Sequence, residues 1–498
     1  MTDLLTRPSP TEDFYNLDVL FHPSSVAIVG ASSNPASSGY NFTHYLIDHN
    51  FKGSIYPVNP RLQKIFGLRA YPNLKDIPEP KIDYVICCIP AEGVLTLLKD
   101  CKTKNVKLIH LFTARMSETR RDKETRLERE ILEEAKSLGI RILGPNCIGI
   151  YYPKVGLSFN HDLPKESGFV GGFFQTGGGA GEFVRYAALR GVRFSKIVSY
   201  GNALDINETE LLYYFAQDPE TKIIAAYIEG VKDGRKFIQA LSHAAIRKPV
   251  IMLKGGRGKA GAKLALSHTA SLAGTMDVWR TISRQHGATM VYNFQELVDQ
   301  VTAFTFLPPI TGRKVVIAGG GGGKSVISAD VWEEEGFQVP DLSLNVREKL
   351  KEKVPEVWDW LRNPLDGSIL QNVPISPMNL LKMISSEEEF DVLVANMPQD
   401  DPYPKDIWLE TLAKDLLDGL LAIKGEGKPI VCVIEMGEIS LSDMQSWKWS
   451  AITEIRKLII SEGIPVFPSP YRAAKALRKF TDYWVWKLER LSDESTFL

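Results

Sequence analysis

The sequence has few cysteines and no surplus of either charge. Its 5 cysteines show no CxxC spacing, and Cys87 and Cys88 are neighbours in an apolar run, which argues against a disulfide framework or a zinc site. The 59 lysines and arginines against 60 acidic residues leave a formal net charge of -1, too little positive charge to hold a polyphosphate backbone. We therefore expect a reducing compartment, no metal-ligating residues and no nucleic-acid partner.

Long apolar runs are also absent. No stretch approaches the ~18 residues that are needed to cross a bilayer. The N-terminal "MTDLLTRPSPTEDFYNL" lacks the basic-then-apolar order of a signal peptide. The sequence thus predicts a soluble, cytoplasmic protein with no membrane partner.

Short apolar, β-branched runs alternate with amphipathic stretches, a pattern typical of parallel strands and their crossover helices. The pattern occurs three times, so we predict an α/β fold of three tandem doubly wound parallel-sheet domains, at residues 1–150, 151–308 and 309–498. "FLPPITGR" (306–313) is predicted to be a linker. The predicted strands cover 26–30, 53–58, 82–89, 106–112, 140–144, 168–175, 194–200, 222–230, 248–254, 288–292, 314–320, 390–397 and 429–437.

Two glycine-rich turns follow predicted strands at the sheet edge where ligands collect. "VGASSNPASSGY" (29–40) and "QTGGGAGEF" (175–183) each lead into a predicted helix, whose free N–H groups and dipole favour phosphate. Alternatively, each is only a close-packed turn. "PVNPR" (57–61) offers no acid at the end of the second strand for a ribose hydroxyl, which argues against an NAD-dependent oxidoreductase.

His268 lies among small and hydroxylated residues in "KLALSHTASLAG" (263–274). Imidazole titrates near neutral pH and can act as a nucleophile, although a lone loop histidine is more often structural. A phosphoryl group on it needs room, N–H or O–H donors and a carboxylate on the other ring nitrogen. Glu229, which closes the apolar run "AAYIEG", is the candidate carboxylate; alternatively it caps the next turn or pairs with Lys232.

A third glycine-rich stretch, "AGGGGGKS" (318–325), fits a loose phosphate-loop pattern. We reject it as a nucleotide-hydrolysis site because no Asp partner for Mg²⁺ can be fixed from the sequence.

Taken together, "FHPSSVAIVGAS", "YPVNP", "GLRAYPNL", "CCIPAEGV", "ILGPNCIGI", "QTG", "YIEG" and "SHT" carry a family resemblance. Over about residues 20 to 480 the chain resembles the α subunit of NDP-forming acyl-CoA synthetases, the family of ADP-forming acetyl-CoA synthetase and succinyl-CoA synthetase. The resemblance implies a Rossmann-like CoA-binding domain followed by two flavodoxin-like domains.

The resemblance also implies roles for single residues. His268 would be the phosphohistidine, and Glu229 the acid that positions it. The phosphate-binding residues would be Thr176, Gly177, Gly178, Ser267 and Thr269. The coenzyme A site would comprise Gly30, Ser32, Ser33, Gly39, Asn59, Ile89, Pro90 and Asn146. Asn202, Asp205, Lys254 and Arg257 would have weaker or supporting roles.

No ATP-grasp module is visible in the sequence. The resemblance therefore implies a separate ATP-grasp β subunit that binds ADP or ATP and Mg²⁺ in an α2β2 assembly, with a small carboxylic acid or its acyl-CoA as substrate. The acyl group and the choice between ADP and GDP are not encoded in any motif.

Three positions depart from the family pattern. Relatives usually have Gly after "SHT", where this chain has Ala270, and a bulkier residue at Gly178–Gly179. Relatives also carry a Gly-containing turn at "FTARMSE" (112–118), which here includes Arg115. These departures leave open an altered acyl substrate, or a CoA-binding regulatory or scaffold protein without turnover.

Overall fold

The computed structural model describes residues 17–18, 21–263, 275–370, 373, 375–397, 404–425, 427–435 and 446–495. The chain divides into two compact units, Met1–Leu297 and Val298–Leu498. The first unit contains two sheets and the second unit contains one.

The first sheet of the first unit is fully parallel. Its strands are β1 (Ser25–Val29), β2 (Ser54–Val58), β5 (Tyr84–Cys87), β6 (Leu108–Leu111) and β7 (Arg141–Leu143), and a small hairpin of β3 (Lys64–Ile65) and β4 (Leu68–Arg69) lies outside it. Helices α1 (Ser38–Asp48), α2 (Val94–Thr103) and α3 (Asp122–Leu138) connect them. The order is β2-β1-β5-β6-β7. Strands β1, β5 and β6 are buried along their whole length, which explains their continuous apolar runs.

The second sheet is parallel except at one edge. Its strands are β8 (Gly149–Tyr151), β9 (Ser167–Phe174), β10 (Phe194–Ser199), β11 (Ile223–Ile228), β12 (Val250–Lys254) and β13 (Thr289–Val291). Its helices are α4 (Gly177–Ala188), α5 (Glu208–Gln217), α6 (Gly234–Arg247), α7 (Met276–Gln285) and α8 (Phe294–Phe306). The order is β13-β12-β11-β9-β10-β8, and β8 pairs antiparallel to β10. The ends of β9, β10 and β11 therefore lie side by side.

A buried lysine lies inside this second sheet. Lys196 of β10 has no solvent exposure, and its Nζ donates to Asp218 Oδ2 at 3.0 Å and to Glu220 Oε2 at 2.8 Å. The ammonium also lies 4.6 Å from the centroid of the Tyr152 ring. A buried charge requires such partners, because its desolvation is otherwise strongly unfavourable.

The second unit has a parallel sheet of β14 (Val315–Ala318), β15 (Val392–Met397), β16 (Ile430–Ile434) and β17 (Val466–Phe467), in that order. Its helices are α9 (Gly322–Glu334), α10 (Leu344–Lys353), α11 (Pro377–Ser385), α12 (Lys414–Lys424), α13 (Trp447–Ser461) and α14 (Pro470–Ser495). A helical turn, Lys405–Ile407, and the π-helical segment Trp408–Ala413 lead into α12. Trp332 and Trp408 are fully buried in this unit.

The predicted α/β class is confirmed, because each predicted strand coincides with an observed one within a few residues. The hairpin β3–β4 and the short strands β8 and β17 were not predicted. The predicted domain boundaries at 150 and 308 stay a prediction. Within the described residues, no helix has the length and apolar character that a membrane crossing requires.

Candidate active site

The three glycines at the start of α4 have different surroundings. Thr176 caps the helix, and its Oγ1 accepts the N–H of Gly179 at 3.4 Å. A Cβ on Gly177 would lie 2.8 Å from Ile148, and one on Gly179 would lie 2.6 Å from the Phe294 ring. A Cβ on Gly178 would meet nothing within 4 Å. Gly177 and Gly179 thus serve packing, whereas Gly178 leaves an open approach to the helix N-terminus.

Glu229 follows β11, next to the strand that leads into α4. Gln175 Oε1 accepts the backbone N–H of Glu229 and, at 3.1 Å, that of Gly230. The Tyr227 hydroxyl donates to Glu229 Oε1 at 3.1 Å. Burial raises the pKa of Tyr227, and the charge of Glu229 raises it further, so the hydroxyl stays a donor. Gln175 therefore binds the Glu229 turn to the start of α4.

Sequence reasoning missed Gln175 and Tyr227 as members of this site. Gln175 is buried, and its Nε2 has no hydrogen-bond partner among the described residues. The backbone N–H of Lys232 donates to Glu208 Oε1 at 2.8 Å.

Lys254 ends β12 beside the Glu229 turn. Its buried Nζ donates to the Glu229 carbonyl oxygen at 2.7 Å and to the Gly255 carbonyl oxygen. Burial lowers the pKa of Lys254 to about 8, although the charge of Glu229 opposes the shift. Arg257 turns away to the Tyr292 carbonyl oxygen at 2.5 Å. Lys254 thus contacts the Glu229 turn, whereas Arg257 contacts Tyr292. The supporting roles of both residues stay predictions.

Three residues of the predicted site, Ser267, His268 and Thr269, lie outside the described residues, as does Ala270. The last residue of β12, Lys254, pairs with Ile228 of β11. The structure describes the chain as far as residue 263 and again from residue 275, just before α7.

The predicted residues of the first sheet surround two adjacent turns. Gly30 has φ +90, and a Cβ on Gly39 would lie 1.9 Å from the Gly30 carbonyl oxygen. Asn59 Nδ2 donates to the Ala31 carbonyl oxygen at 2.7 Å, which joins the ends of β1 and β2. Ser32 Oγ accepts the N–H of Asn34 at 3.0 Å, and Ser33 is exposed.

Ile89, Pro90 and Asn146 lie farther along the same sheet edge. Thr113, which the sequence did not single out, donates from Oγ1 to the Ile89 carbonyl oxygen at 2.8 Å. Its own carbonyl oxygen accepts the N–H of Asn146 at 3.0 Å. Thr113 therefore links the ends of β5, β6 and β7, and Pro90 begins a short 3₁₀ turn after β5.

The two sheet edges of the first unit meet through residues 145–148. A Cβ on Gly201 would lie 2.2 Å from the Pro145 carbonyl oxygen, and the N–H of Ile148 donates to Ser199 Oγ at 3.3 Å. Because Ile148 also packs on Gly177, the coenzyme-A candidates and the phosphate candidates border one region.

Two weaker candidates have structural contacts here. Asp205 accepts from Arg141 Nε at 2.7 Å and from the N–H of Ile142 at 2.9 Å, which ties β7 to the second sheet. Asn202 donates from Nδ2 to Glu118 Oε2 at 3.0 Å.

The glycine-rich turn of the second unit is held by "NPLDGS" (363–368). Asn363 Oδ1 accepts the N–H of Ile317 at 3.0 Å, and its Nδ2 donates to the Val315 carbonyl oxygen at 2.8 Å. Asp366 lies beside this turn, with its Oδ2 3.3 Å from where a Cβ on Gly322 would be. Its Oδ1 accepts the N–H and hydroxyl of Ser368 at 2.8 and 2.7 Å.

Comparison with known proteins agrees with this arrangement. Residues 24–153 match the family described as a CoA binding domain, and residues 167–304 match the succinyl-CoA ligase like flavodoxin domain. The fold and these matches define a class of α/β proteins that joins a CoA-binding domain to a ligase-type flavodoxin domain.

Relatives identify the family within that class. The α subunit of ADP-forming acetate–CoA ligase I of Pyrococcus furiosus is 30% identical over 480 residues, which cover 95% of this chain and 98% of that subunit. The solved acetyl-coenzyme A synthetase 1 of Ca. Korarchaeum cryptofilum, in complex with phosphate and ADP, has a TM-score of 0.80 at 28% identity, covering 96% of this chain and 98% of that one. The chain belongs to the ADP-forming acetate–CoA ligase family, which confirms the resemblance.

The chain is shorter than some relatives. ADP-forming acetate–CoA ligase II of Archaeoglobus fulgidus is 32% identical over 472 residues, which cover 93% of this chain and 66% of that protein. The chain spans 63% of ligase I of the same organism and 49% of the Methanocaldococcus jannaschii ligase.

Proposed function

We propose that this chain is the CoA- and acyl-binding subunit of an ADP-forming acyl-CoA synthetase. The enzyme interconverts acyl-CoA, ADP and phosphate with carboxylic acid, CoA and ATP through a phosphohistidine at His268. One observation carries the proposal: Gln175 joins the Glu229 turn to the start of α4, whose N-terminus is open at Gly178. An anion-binding helix end and a carboxylate are what a phosphorylated imidazole requires.

In the acyl-CoA-consuming direction, a phosphate oxygen attacks the thioester carbonyl, the C–S bond breaks and the thiolate takes up a proton. The unprotonated His268 nitrogen then attacks phosphorus, and the acid leaves as a carboxylate. The N–H groups at Gly177 and Gly178 stabilise the transferring oxygens, while Glu229 accepts from the other ring nitrogen. Transfer to ADP breaks the N–P bond and restores neutral imidazole.

Glu229→Gln tests the positioning acid. We expect phosphorylation of the chain to slow by about 10- to 100-fold, because an amide orients the imidazole less well and does not stabilise its positive charge. Rapid-quench labelling with radioactive phosphate measures the rate. Glu166→Gln, at an exposed residue, is the matched control, and equal rates in both variants would remove Glu229 from this role.

For coenzyme A, the β1–α1 turn would hold the phosphates through Gly30, Ser32, Ser33 and Gly39, and Asn59, Ile89, Pro90 and Asn146 would line the rest. The exposed Ser33 and the N-terminus of α1 fit an anionic group. Bound there, coenzyme A supplies the thiol that accepts or releases the acyl group.

Gly39→Ala tests this site. Since its Cβ would lie 1.9 Å from the Gly30 carbonyl oxygen, the turn must move, and we expect CoA affinity to fall by at least ~10-fold. Isothermal titration calorimetry measures the change. Gly234→Ala, where a Cβ meets nothing within 4 Å, should bind CoA like the unaltered chain. An unchanged affinity in Gly39→Ala would place CoA elsewhere.

We further propose that ADP, ATP and Mg²⁺ bind to a separate ATP-grasp β subunit in an α2β2 assembly. In support, the two Pyrococcus furiosus relatives that this chain spans by 98% and 96% are named as α subunits. We place the assembly in the cytoplasm, because all five cysteines are free and four of them are buried.

The test combines the chain with a cognate ATP-grasp subunit, acyl-CoA, ADP and phosphate. The proposal expects ATP formation that requires both chains and CoA-linked acyl groups. If the chain binds CoA by calorimetry but forms neither ATP nor a phosphorylated protein, the CoA-binding regulatory or scaffold alternative replaces it.

A further inference from the structure

We propose that Lys254 is a positioning residue for Glu229, and that the positive charge of its ammonium holds the Glu229 turn in the geometry that phosphoryl transfer requires. The inference deepens the proposed function and rests on it.

Glu229 is held at three of its atoms by three side chains. Its backbone N–H donates to Gln175 Oε1, and its carboxylate Oε1 accepts from the Tyr227 hydroxyl. Its carbonyl oxygen accepts from the buried Nζ of Lys254 at 2.7 Å, and the same ammonium donates to the Gly255 carbonyl oxygen. Gln175 therefore fixes one side of the Glu229 main chain, and Lys254 fixes the other.

The end of β12 packs directly on this acid. A Cβ on Gly255 would lie 2.4 Å from the Tyr227 hydroxyl oxygen and 3.2 Å from Glu229 Cγ. The Tyr227 ring stacks on Phe294 with a centroid separation of 5.7 Å, and Phe294 in turn lies against Gly179 of α4. The end of β12 thus belongs to one set of contacts with the Glu229 turn and the start of α4.

A second lysine near the same strand shows a purely structural role for comparison. Lys248, two residues before β12, also donates from Nζ to two carbonyl oxygens, those of Phe215 at 2.7 Å and Asp218 at 2.6 Å. Burial lowers the pKa of both Lys248 and Lys254 to about 8. The carbonyls bound by Lys248 lie at the C-terminal end of α5, where the helix dipole favours a cation.

No helix end accounts for the charge of Lys254. The two carbonyl oxygens that it binds belong to a turn and to the residue after β12. Burying a cation against neutral carbonyl groups is unfavourable, and an apolar side chain of similar length would fill the same space. The charge is therefore best explained by the carboxylate beside it, since perturbed ionisable groups cluster where charge is used.

Glu229 is the charged group that acts on Lys254. Burial lowers the pKa of Lys254, and the charge of Glu229 opposes this shift. From β11 the other facing group is Tyr227, whose pKa is raised by burial, and from α7 it is the Trp279 ring, whose centroid lies 5.5 Å from Nζ. Within these described elements, β13 and the buried face of α6 present no titratable side chain.

Loss of the charge should loosen the turn. A charge-assisted hydrogen bond is roughly twice as strong as a bond between neutral groups, and a neutral amine no longer attracts the Glu229 carboxylate. We therefore expect Glu229 to be held less firmly once Lys254 has lost its proton.

Lys254→Met tests the inference, because methionine keeps an unbranched stem and removes the charge. The chain, the proposed ATP-grasp subunit, acetyl-CoA and radioactive phosphate are mixed without ADP, and rapid quenching gives the rate of labelling. Below about pH 7 we expect the unaltered chain to be labelled about 10- to 100-fold faster than Lys254→Met. The two rates should converge as pH rises through about 8, where Lys254 of the unaltered chain loses its charge. Titration of His268 and of phosphate affects both proteins equally and cancels in the ratio of rates.

Lys248→Met is the matched control, because Lys248 has the same kind of contacts and a similarly lowered pKa. It should be labelled at the rate of the unaltered chain at each pH. All three proteins are compared at a temperature at which circular dichroism shows them folded, and calorimetry should give them the same affinity for CoA.

A loss in Lys254→Met that stays constant across this pH range, or an equal loss in Lys248→Met, would show that Lys254 only packs and would overturn the inference. Weaker binding of CoA by Lys254→Met would place the ammonium in the CoA site and overturn it as well. Equal labelling of Lys254→Met and the unaltered chain overturns the inference alone. If the unaltered chain is not labelled either, the proposed function fails and the inference fails with it.

Discussion

His268→Asn should leave the chain without any acid-labile phosphoryl group when it is mixed with the proposed ATP-grasp subunit and Mg²⁺-ATP. Asparagine has no ring nitrogen that can attack phosphorus. We therefore expect labelling to fall to background and net ATP formation to stop with it. The measurement is radioactive labelling that survives base and is lost in acid.

His161→Asn is the matched control, since His161 is exposed and packs edge-on against the Tyr45 ring of α1. It should label as the unaltered chain does. Persistent labelling of His268→Asn would show that another residue accepts the phosphoryl group. A further variant, His268→Asn with Glu229→Gln, should show no additional loss, because Glu229 acts only through the imidazole.

The largest effect on stability is expected from Lys196→Met. Removing the ammonium leaves the buried Asp218 without its cation and leaves Glu220 paired with Lys154, and breaking a buried pair from one side costs about 3–5 kcal/mol. Hydrogen exchange at the amides of β9 and β10, followed by mass spectrometry, measures the loss of unfolding free energy in the sheet that contains Lys196. Lys222→Met, at an exposed residue over the Phe169 ring, should change the same amides by less than ~1 kcal/mol.

The effect of Lys196→Met should depend on pH. Burial by itself would raise the pKa of Glu220, but hydrogen bonds from Lys154 and Lys196 lower it to about 2. A carboxyl whose pKa is depressed on folding adds stability above its unfolded pKa, and this stability is lost as pH falls toward the folded value. The difference between Lys196→Met and the unaltered chain should therefore shrink between about pH 4.5 and 2. A difference that stays constant across this range would assign the effect to packing.

Strands were predictable where both faces are buried. The runs at 26–30 and 222–230 have apolar centres because β1 and β11 lie inside their sheets, and the predicted bounds differ from the observed ones by one or two residues. β8 was missed because three residues at a sheet edge carry no periodicity, and its antiparallel direction is set by pairing with β10.

The sequence predicts the site as a set of residues and not as a geometry. Glycines, a histidine and an acid at strand ends indicate phosphate chemistry, but the contact between Gln175 and Glu229 joins residues 54 apart in the chain. This contact exists because β9 and β11 are neighbours in the sheet. The order of strands in a sheet cannot be predicted from local sequence patterns. The same holds for Ile148 on Gly177 and for Thr113, whose hydroxyl and carbonyl bind different turns.

The two hydrogen bonds that Gln175 accepts have a thermodynamic consequence. They hold the Glu229 turn against the residue that precedes α4, so a displacement of either the turn or the helix N-terminus should move the other. Two equilibria connected in this way must influence each other equally in both directions. Binding of an anion at the helix end and the position of the Glu229 carboxylate should thus affect one another to the same extent.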